Sequence, residues 1–85
     1  MVKENIRVEL REGLHMRPAG LLAAEMNKYQ SRVTLIYGNK EIDAKSILCI
    51  MAAAIKYGEE ITVECDGEDE LSALGAAERL MTCMD

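Results

Sequence analysis

Residues 32–44 read RVTLIYGNKEIDA, and this stretch indicates how the middle of the chain folds. The segment 32–37 is rich in β-branched and aliphatic residues, which favour strands. Gly38-Asn39 follows, and KEIDA continues the chain on the other side of it. A glycine-asparagine pair between two such segments is typical of a tight hairpin turn. We therefore predict two antiparallel strands joined at Gly38-Asn39.

A helix is predicted on each side of this hairpin. Upstream, apolar residues recur at three- and four-residue spacing over 18–29: Ala19, Leu22, Met26 and Tyr29. Pro18 suits the start of this helix, because the N–H that proline lacks would be unpaired there. Downstream, the alanine-rich run over 47–55 favours a helix over a strand, and Tyr57-Gly58 is expected to close it.

Further out, the chain again alternates polar and apolar residues. ENIRVEL at 4–10 and EITVEC at 60–65 show the two-residue period of half-buried strands, so Cys65 is expected to point inward. The acidic turn 68–70 suits a helix N-terminus, and apolar residues follow at helical spacing: Leu71, Leu74, Ala77 and Met81. The predicted order is β-α-β-β-α-β-α, an α+β domain whose sheet packs against helices on one face.

Length and composition limit the class of protein. A chain of 85 residues makes one modest domain, expected to span 1–85, and its 49% hydrophobic content argues against disorder. The longest apolar run, at 47–55, is too short to span a membrane. The N-terminus lacks the continuous apolar stretch of a secretory signal. We therefore expect a cytoplasmic protein that does not insert into membranes.

Charge and cysteine content argue against two further classes. The net charge is -5, and residues 59–85 hold nine acids and one arginine, which is unsuited to binding nucleic acid directly. The three cysteines, Cys49, Cys65 and Cys83, are widely spaced and fit neither a disulfide framework nor a paired metal-ligand motif. A single histidine also argues against a structural zinc site. We expect no metal and no cofactor.

The segment GLHMRPAG at 13–20 holds the only histidine and the only proline of the chain. Pro18 places the helix start within a residue or two of His15, so free backbone N–H groups, the helix dipole and Arg17 converge there. This setting attracts anions and disfavours a protonated imidazole, which predicts a neutral ring able to accept a phosphoryl group. From the residues alone, a histidine that only caps its helix explains the segment about equally well.

Ser46 and two apolar stripes are the second group of candidates. Ser46 precedes a helical run, as an ordinary N-cap does. The helix after it is apolar on every side, so part of that surface must stay exposed in so small a domain. The first helix has a stripe of small or apolar residues at four-residue spacing outside its core face. We expect the two stripes to form one partner-binding surface, called the docking face: Met16, Gly20, Ala24, Ile47, Leu48 and Met51.

Three segments resemble HPr, the histidine-containing phosphocarrier family of the bacterial phosphoenolpyruvate-dependent sugar phosphotransferase system. GLHMRPA at 13–19 is similar to the active-site motif GLHARPA, KSILCIM at 45–51 to the regulatory-serine segment, and residues 58–81 to the last strand and helix. The likeness covers essentially the whole chain. It implies an open-faced β-sandwich, in which a four-stranded antiparallel sheet has three helices on one face.

The resemblance also implies a function. His15 would accept a phosphoryl group from Enzyme I and pass it to the IIA domains of sugar permeases, while Arg17 helps to hold the phosphate. Such a protein is a carrier rather than an enzyme with turnover of its own, and we expect a monomer. In Firmicutes-type members, an ATP-dependent kinase/phosphorylase modifies the serine that matches Ser46. That modification serves carbon catabolite repression through a transcriptional regulator.

The chain departs from the family pattern at several positions. Met16 stands where alanine is common, Gly20 where threonine or serine is usual, and residues 52–54 are alanines where the family carries serine, leucine and glycine. Two other functions remain open. One is a regulatory module of the same fold that acts mainly through Ser46 because Met16 obstructs Enzyme I. The other is a small-molecule-binding or acylphosphatase-like domain, which the element order alone would allow.

Overall fold

The structure, a computed structural model, describes residues 1–11, 13–14 and 16–83, with Cys83 described by its backbone alone. The elements are β1 (Val2–Arg7), α1 (Met16–Met26), β2 (Arg32–Tyr37), β3 (Lys40–Asp43), α2 (Ile47–Ala53), β4 (Glu60–Asp66) and α3 (Glu70–Cys83). This is the predicted order β-α-β-β-α-β-α. No helix in the described part of the chain is long and apolar enough to cross a membrane.

The four strands form one antiparallel sheet in the order β1-β4-β2-β3. The predicted hairpin joins β2 to β3, with Tyr37 opposite Lys40 and Gly38 at a φ of 65° in the two-residue turn. On the helix-facing side, each strand contributes buried apolar residues: Ile6, Val33, Leu35, Ile42, Ile61, Val63 and Cys65. The residues between them face outward and are exposed or half-buried. The open-faced, α+β architecture predicted from the sequence is confirmed.

The helices cover the inner face of the sheet with small and aliphatic side chains. The residues that α1, α2 and α3 bury are mostly alanine, with a few larger side chains between them: Pro18, Ala19, Leu22, Ala23, Met26, Ile50, Ala53, Ala73, Ala76, Ala77 and Met81. The spacing predicted for α1 is confirmed at Ala19, Leu22 and Met26. For α3 it is wrong at Leu71, which is 72% exposed because it falls on the helix face opposite the buried residues Ala73, Ala76, Ala77 and Met81.

The first strand is shorter than predicted at its C-terminal end. The alternation over 4–10 predicted a strand, whereas β1 ends at Arg7 because Arg7 pairs with Glu60, the first residue of β4. Val8 and Leu10 are nevertheless buried. Val8 bonds to the loop before β4, donating to the Glu59 carbonyl at 2.9 Å and accepting from Gly58 N–H at 2.8 Å. Buried and exposed residues therefore continue to alternate as far as Leu10, although the pairing of β1 with β4 ends at Arg7.

Two helices also end earlier than predicted. The predicted 18–29 helix ends at Met26, and Tyr29 N–H then bonds to the Met26 carbonyl at 3.1 Å, three residues back, in a tightened turn. The predicted 47–55 helix ends at Ala53, because Ala54 takes the left-handed conformation at a φ of 53°. Ala54, rather than Tyr57-Gly58, therefore closes α2. Its N–H donates to the Met51 carbonyl at 3.2 Å, as in a C-terminal helix cap.

A cluster of hydrogen bonds to the Asp69 carboxylate joins the α1–β2 loop to the start of α3. Asp69 accepts the backbone N–H groups of Gln30 and Ser31, both at 2.9 Å, and the Ser31 hydroxyl donates to the same carboxylate. These hydrogen bonds, with that of the Ser31 hydroxyl the largest, hold the pKa of Asp69 below its usual range. Ser31 is fully buried. No local sequence pattern indicates this contact, because Ser31 and Asp69 are 38 positions apart.

Candidate functional site

The chain just before His15 is held against the segment that follows α2. His15 itself lies outside the described residues, as does Glu12. Leu14 N–H donates to the Ile55 carbonyl at 2.9 Å, and Gly13 N–H donates to the Leu10 carbonyl at 2.8 Å. Gly13 has a φ of 74°, and its Cα faces the Ile55 carbonyl so closely that a Cβ would lie 2.4 Å from that oxygen. A glycine at position 13 is therefore required by both conformation and space.

The helix that follows His15 begins at Met16, as the position of Pro18 predicted. The first-turn N–H groups of a helix have no partner within the helix, and the dipole places partial positive charge at this end. The first turn contains no acidic residue. Arg17 lies in this turn with an exposed side chain that makes no hydrogen bond or ion pair to any described residue. The start of α1 is thus positively polarised and suited to an anion.

Ser46 is the N-cap of α2, as the sequence predicted. Its backbone is extended, at φ -114° and ψ 115°, and its Oγ accepts the Cys49 N–H at 3.3 Å. Its carbonyl accepts the Ile50 N–H at 3.1 Å, which begins the helical hydrogen bonds. Ser46 is half-buried at the surface, so its hydroxyl is not enclosed by the core. The residue combines a structural capping role with access to solvent.

The docking face is exposed on both helices. Met16 is 69% and Leu48 80% exposed, Ile47 and Met51 are also exposed, and Ala24 and half-buried Gly20 complete the surface. Because α1 packs against α2, the two stripes lie on neighbouring helices. Such a group of exposed apolar side chains is unusual on a monomer of this size.

One further apolar residue of α1 is exposed and was not among the predicted candidates. Leu21 is 43% exposed, whereas Leu22, next to it in α1, is fully buried. The spacing of apolar residues could have indicated this exposure, because the core positions 19, 22 and 26 define one face of the helix and position 21 falls outside it.

The described residues contain no group of metal ligands, but they line two cavities. Over residues 1–11, 13–14 and 16–83, no group of three or more His, Cys, Asp or Glu side chains could hold a metal ion. A shallow cavity of about 530 Å³ lies between the ends of β2 and β3, and another of about 440 Å³ lies between β3 and α2.

The two cysteines whose side chains are described differ in exposure. Cys65 is buried, which raises the pKa of its thiol to about 11, while Cys49 is exposed on α2.

The comparison with protein families is decisive. The family model described as "PTS HPr component phosphorylation site" matches residues 2–82. The chain belongs to the HPr family. It is 42% identical to the phosphocarrier protein HPr of Mycoplasma capricolum over 95% of this chain and 91% of that protein. It is also 42% identical to the HPr-like protein Crh of Bacillus subtilis, over 87% of each.

Solved structures agree with this assignment. A crystal structure of the phosphocarrier protein HPr from Bacillus anthracis superimposes with a TM-score of 0.91 at 35% identity, covering 94% of this chain and 95% of that one. Membership of the phosphocarrier family of the phosphotransferase system, predicted from the motifs, is confirmed. The acylphosphatase-like alternative is set aside, since it does not account for the match. The relatives named above are of two kinds, the phosphocarriers and the HPr-like Crh proteins.

Proposed function

We propose that this protein is a cytoplasmic phosphoryl carrier in which His15 accepts a phosphoryl group from Enzyme I and passes it to IIA domains of sugar permeases. The observation that supports this best is the start of α1 at Met16, directly after His15 in the chain. Its first turn is free of acidic residues and contains Arg17, whose exposed side chain has no hydrogen bond or ion pair to a described residue. The family match supports the same chemistry. The protein acts as a carrier and has no turnover of its own.

The chemistry of phosphoryl transfer suits a histidine that directly precedes a helix. A neutral imidazole nitrogen forms a bond to phosphorus as the bond between phosphorus and the donor breaks, and the reverse exchange delivers the group to the next acceptor. The phosphorylated ring gains negative charge. Because His15 directly precedes α1 in the chain, we expect the positive end of the helix dipole and Arg17 in the first turn to stabilise that charge. The same features disfavour a protonated ring before transfer, which keeps the nucleophile available.

We propose that the docking face brings Enzyme I and the IIA domains to His15. Met16, an exposed residue of this face, directly follows His15 in the chain, which supports a partner that covers the face as the one that exchanges the phosphoryl group. A carrier that presents one face to several partners in turn is most simply a monomer of one domain. Contact with the partners buries apolar surface, which is the main favourable contribution in most associations.

Charge substitution tests the docking face. We expect Leu48→Asp to raise the KM of Enzyme I for this protein at least tenfold in a phosphoenolpyruvate-driven labelling assay, because a carboxylate at an apolar contact is costly to bury. Leu71→Asp is the matched control, since Leu71 is similarly exposed but lies on α3. Equal KM values for the two variants would contradict the assignment of the face.

Ser46 supports a second candidate function, in which the protein is mainly a regulatory module of carbon catabolite repression. The observations in favour are the solvent access of Ser46, its place beside the docking face, and the similarity to the HPr-like protein Crh. We propose that an ATP-dependent kinase/phosphorylase modifies Ser46 and that a transcriptional regulator recognises the product. The phosphate would add about -1.5 to -2 charges beside the apolar surface and so weaken the binding of an acidic partner.

Two labelling reactions separate the candidates. Phosphoenolpyruvate with Enzyme I should give an acid-labile label that is lost in His15→Ala and kept in Ser46→Ala. ATP with the serine kinase should give an acid-stable label with the opposite dependence on the two variants. Rapid labelling in the first reaction excludes the purely regulatory function, while label in the second reaction alone would support it.

A further inference from the structure

The turn that leads into Ser46 is tied to the end of α1 by two side chains that reach across in opposite directions. Asn27, the first residue after α1, donates its side-chain amide to the Lys45 carbonyl at 3.1 Å and to the Ala23 carbonyl at 2.7 Å. Lys45 donates its ammonium to the Tyr29 carbonyl at 2.8 Å. We call this pair of side chains the α1 clasp. It connects the C-terminal end of α1 to the residue immediately before Ser46.

The same turn is fixed from the β3 side. Asp43 Oδ1 accepts the Lys45 N–H at 2.9 Å, and the Asp43 carbonyl accepts the Ser46 N–H at 3.1 Å. The backbone N–H, the backbone carbonyl and the side chain of Lys45 therefore all have partners. To the residues that the structure describes, the Ser46 side chain makes one hydrogen bond, in which its Oγ accepts the Cys49 N–H at 3.3 Å. Its position is thus determined mainly by how residues 43–45 are held.

The α1 clasp fixes Ser46 relative to the docking face. Gly20 and Ala24 lie on α1, while Ile47, Leu48 and Met51 follow Ser46 on α2. The clasp spans the two helices where the chain enters α2, so it sets the position of Ser46 relative to both stripes at once. An enzyme that binds the docking face and acts on Ser46 needs that relation to be constant, because catalytic geometry tolerates little displacement.

We propose that Asn27 and Lys45 are positioning residues for modification of Ser46. This inference rests on the proposed phosphorylation of Ser46 by an ATP-dependent kinase. Without the clasp the turn is less ordered in the free protein, and the enzyme must order it on binding, which weakens association. Once bound, the hydroxyl reaches the same reactive geometry. The loss therefore appears in KM and leaves kcat nearly unchanged.

Asn27 is the more informative of the two residues. Lys45 carries a charge next to Ser46, so its removal would also change direct electrostatic attraction to a kinase. Asn27 is neutral, and its substitution leaves every charge in place. Asn27→Ser is the sharpest variant, because a hydroxyl can still bond to the Ala23 carbonyl four residues back, as Thr82 bonds to the Glu78 carbonyl at 2.8 Å. The shorter side chain does not reach Lys45.

The kinase experiment compares Asn27→Ser with Asn39→Ser, an exposed asparagine in the hairpin turn. We expect Asn27→Ser to raise the KM for ATP-dependent labelling of Ser46 about threefold to tenfold, the effect of one lost hydrogen bond, with kcat within about twofold. Lys45→Met should act in the same direction, and Lys45→Arg should restore part of the loss. Labelling of His15 by Enzyme I should stay unchanged in all of these variants. An unchanged KM in Asn27→Ser would overturn the proposal.

Amide hydrogen exchange keeps the inference testable without a kinase. The Ser46 and Cys49 N–H groups should exchange about threefold to tenfold faster in Asn27→Ser than in the unsubstituted protein, while Val63 N–H in the central strand β4 keeps its rate. Equal exchange at Ser46 would show that the clasp does not hold it and would overturn the proposal. If the unsubstituted protein takes no label at Ser46, the proposed modification fails, and the exchange rates alone decide whether Asn27 positions that residue.

Discussion

Leu14 N–H donates to the Ile55 carbonyl at 2.9 Å, which bonds the residue before His15 to the segment just after α2. Ser46 caps the other end of the same helix, which is seven residues long. The two candidate phosphorylation sites are therefore connected through one short helix that also contributes half of the docking face. Substitutions that displace α2 itself should affect the surface that both groups of partners are proposed to use.

Gly13 is the residue whose substitution should disturb this connection most. In Gly13→Ala a Cβ would lie 2.4 Å from the Ile55 carbonyl oxygen, and the φ of 74° disfavours any side chain. We expect a loss of about 1–3 kcal/mol in the free energy of unfolding, measured by urea titration. Gly20→Ala is the control, because the added Cβ would have no atom within 4 Å apart from its chain neighbours and the backbone of its own helix, and alanine favours a helix interior. Equal stability of Gly13→Ala and the parent protein would show that this packing is wrong.

Replacing Ala54 with glycine should stabilise the folded protein. It holds a left-handed conformation at a φ of 53°, where a Cβ costs about 1 kcal/mol or slightly more. We therefore expect Ala54→Gly to raise the free energy of unfolding by about 1 kcal/mol. Ala52→Gly, at an exposed position inside α2, should lower it by about 0.5–1 kcal/mol. The opposite signs make the pair diagnostic, and a loss of stability in Ala54→Gly would contradict the left-handed cap.

Asp69 should make stability depend on pH in the acid range. Its hydrogen bonds from Ser31 and Gln30 hold its pKa below the usual 3.8 in the folded protein. The folded state therefore releases this proton more readily than the unfolded state, and the stabilisation is fully present above the unfolded pKa of about 3.9. It is lost as pH falls through the folded pKa. We expect Asp69→Asn to have a lower Tm at pH 7, with a difference that shrinks below about pH 4.

Glu4 should show the opposite pH dependence. The hydrogen bond that it shares with Glu78 raises the pKa of Glu4 above its usual 4.5. Stability from the shared proton is fully present below the unfolded pKa and is lost as pH rises through the higher folded pKa. At pH 7 the two carboxylates repel, so Glu4→Gln should have a higher Tm than the parent protein. The two should converge below about pH 4, and Glu41→Gln, on the opposite edge strand, should show no such gain.

The sequence predicted the fold class and the element order because both depend on local patterns. Period-two alternation, the Gly38-Asn39 turn and helical spacing each appear within a few neighbouring residues. Element ends were less predictable. β1 ends at Arg7, where its partner strand begins, and α2 ends at Ala53 because Ala54 takes a backbone conformation that alanine rarely adopts. The Asp69 cluster and the α1 clasp join distant residues by polar contacts that no local pattern indicates.

The departures from the family pattern now have partly structural explanations. Ala54 occupies the left-handed position where the family usually has glycine, so the backbone of this chain is strained at the end of α2. Ala53 is smaller than the usual leucine and lines the cavity of about 440 Å³ between α2 and β3, together with Ile42 and Cys49. Nothing in the structure explains the methionine at position 16.

The central claim is that His15 carries the phosphoryl group, and the stoichiometry of label from phosphoenolpyruvate tests it most directly. The protein is incubated with Enzyme I and labelled phosphoenolpyruvate, and the bound phosphate is counted before and after brief acid treatment. We predict one acid-labile phosphate per chain in the parent protein and in Ser46→Ala, none in His15→Ala, and slower labelling in Arg17→Ala. Label that survives in His15→Ala, or no label in the parent protein, would contradict the account.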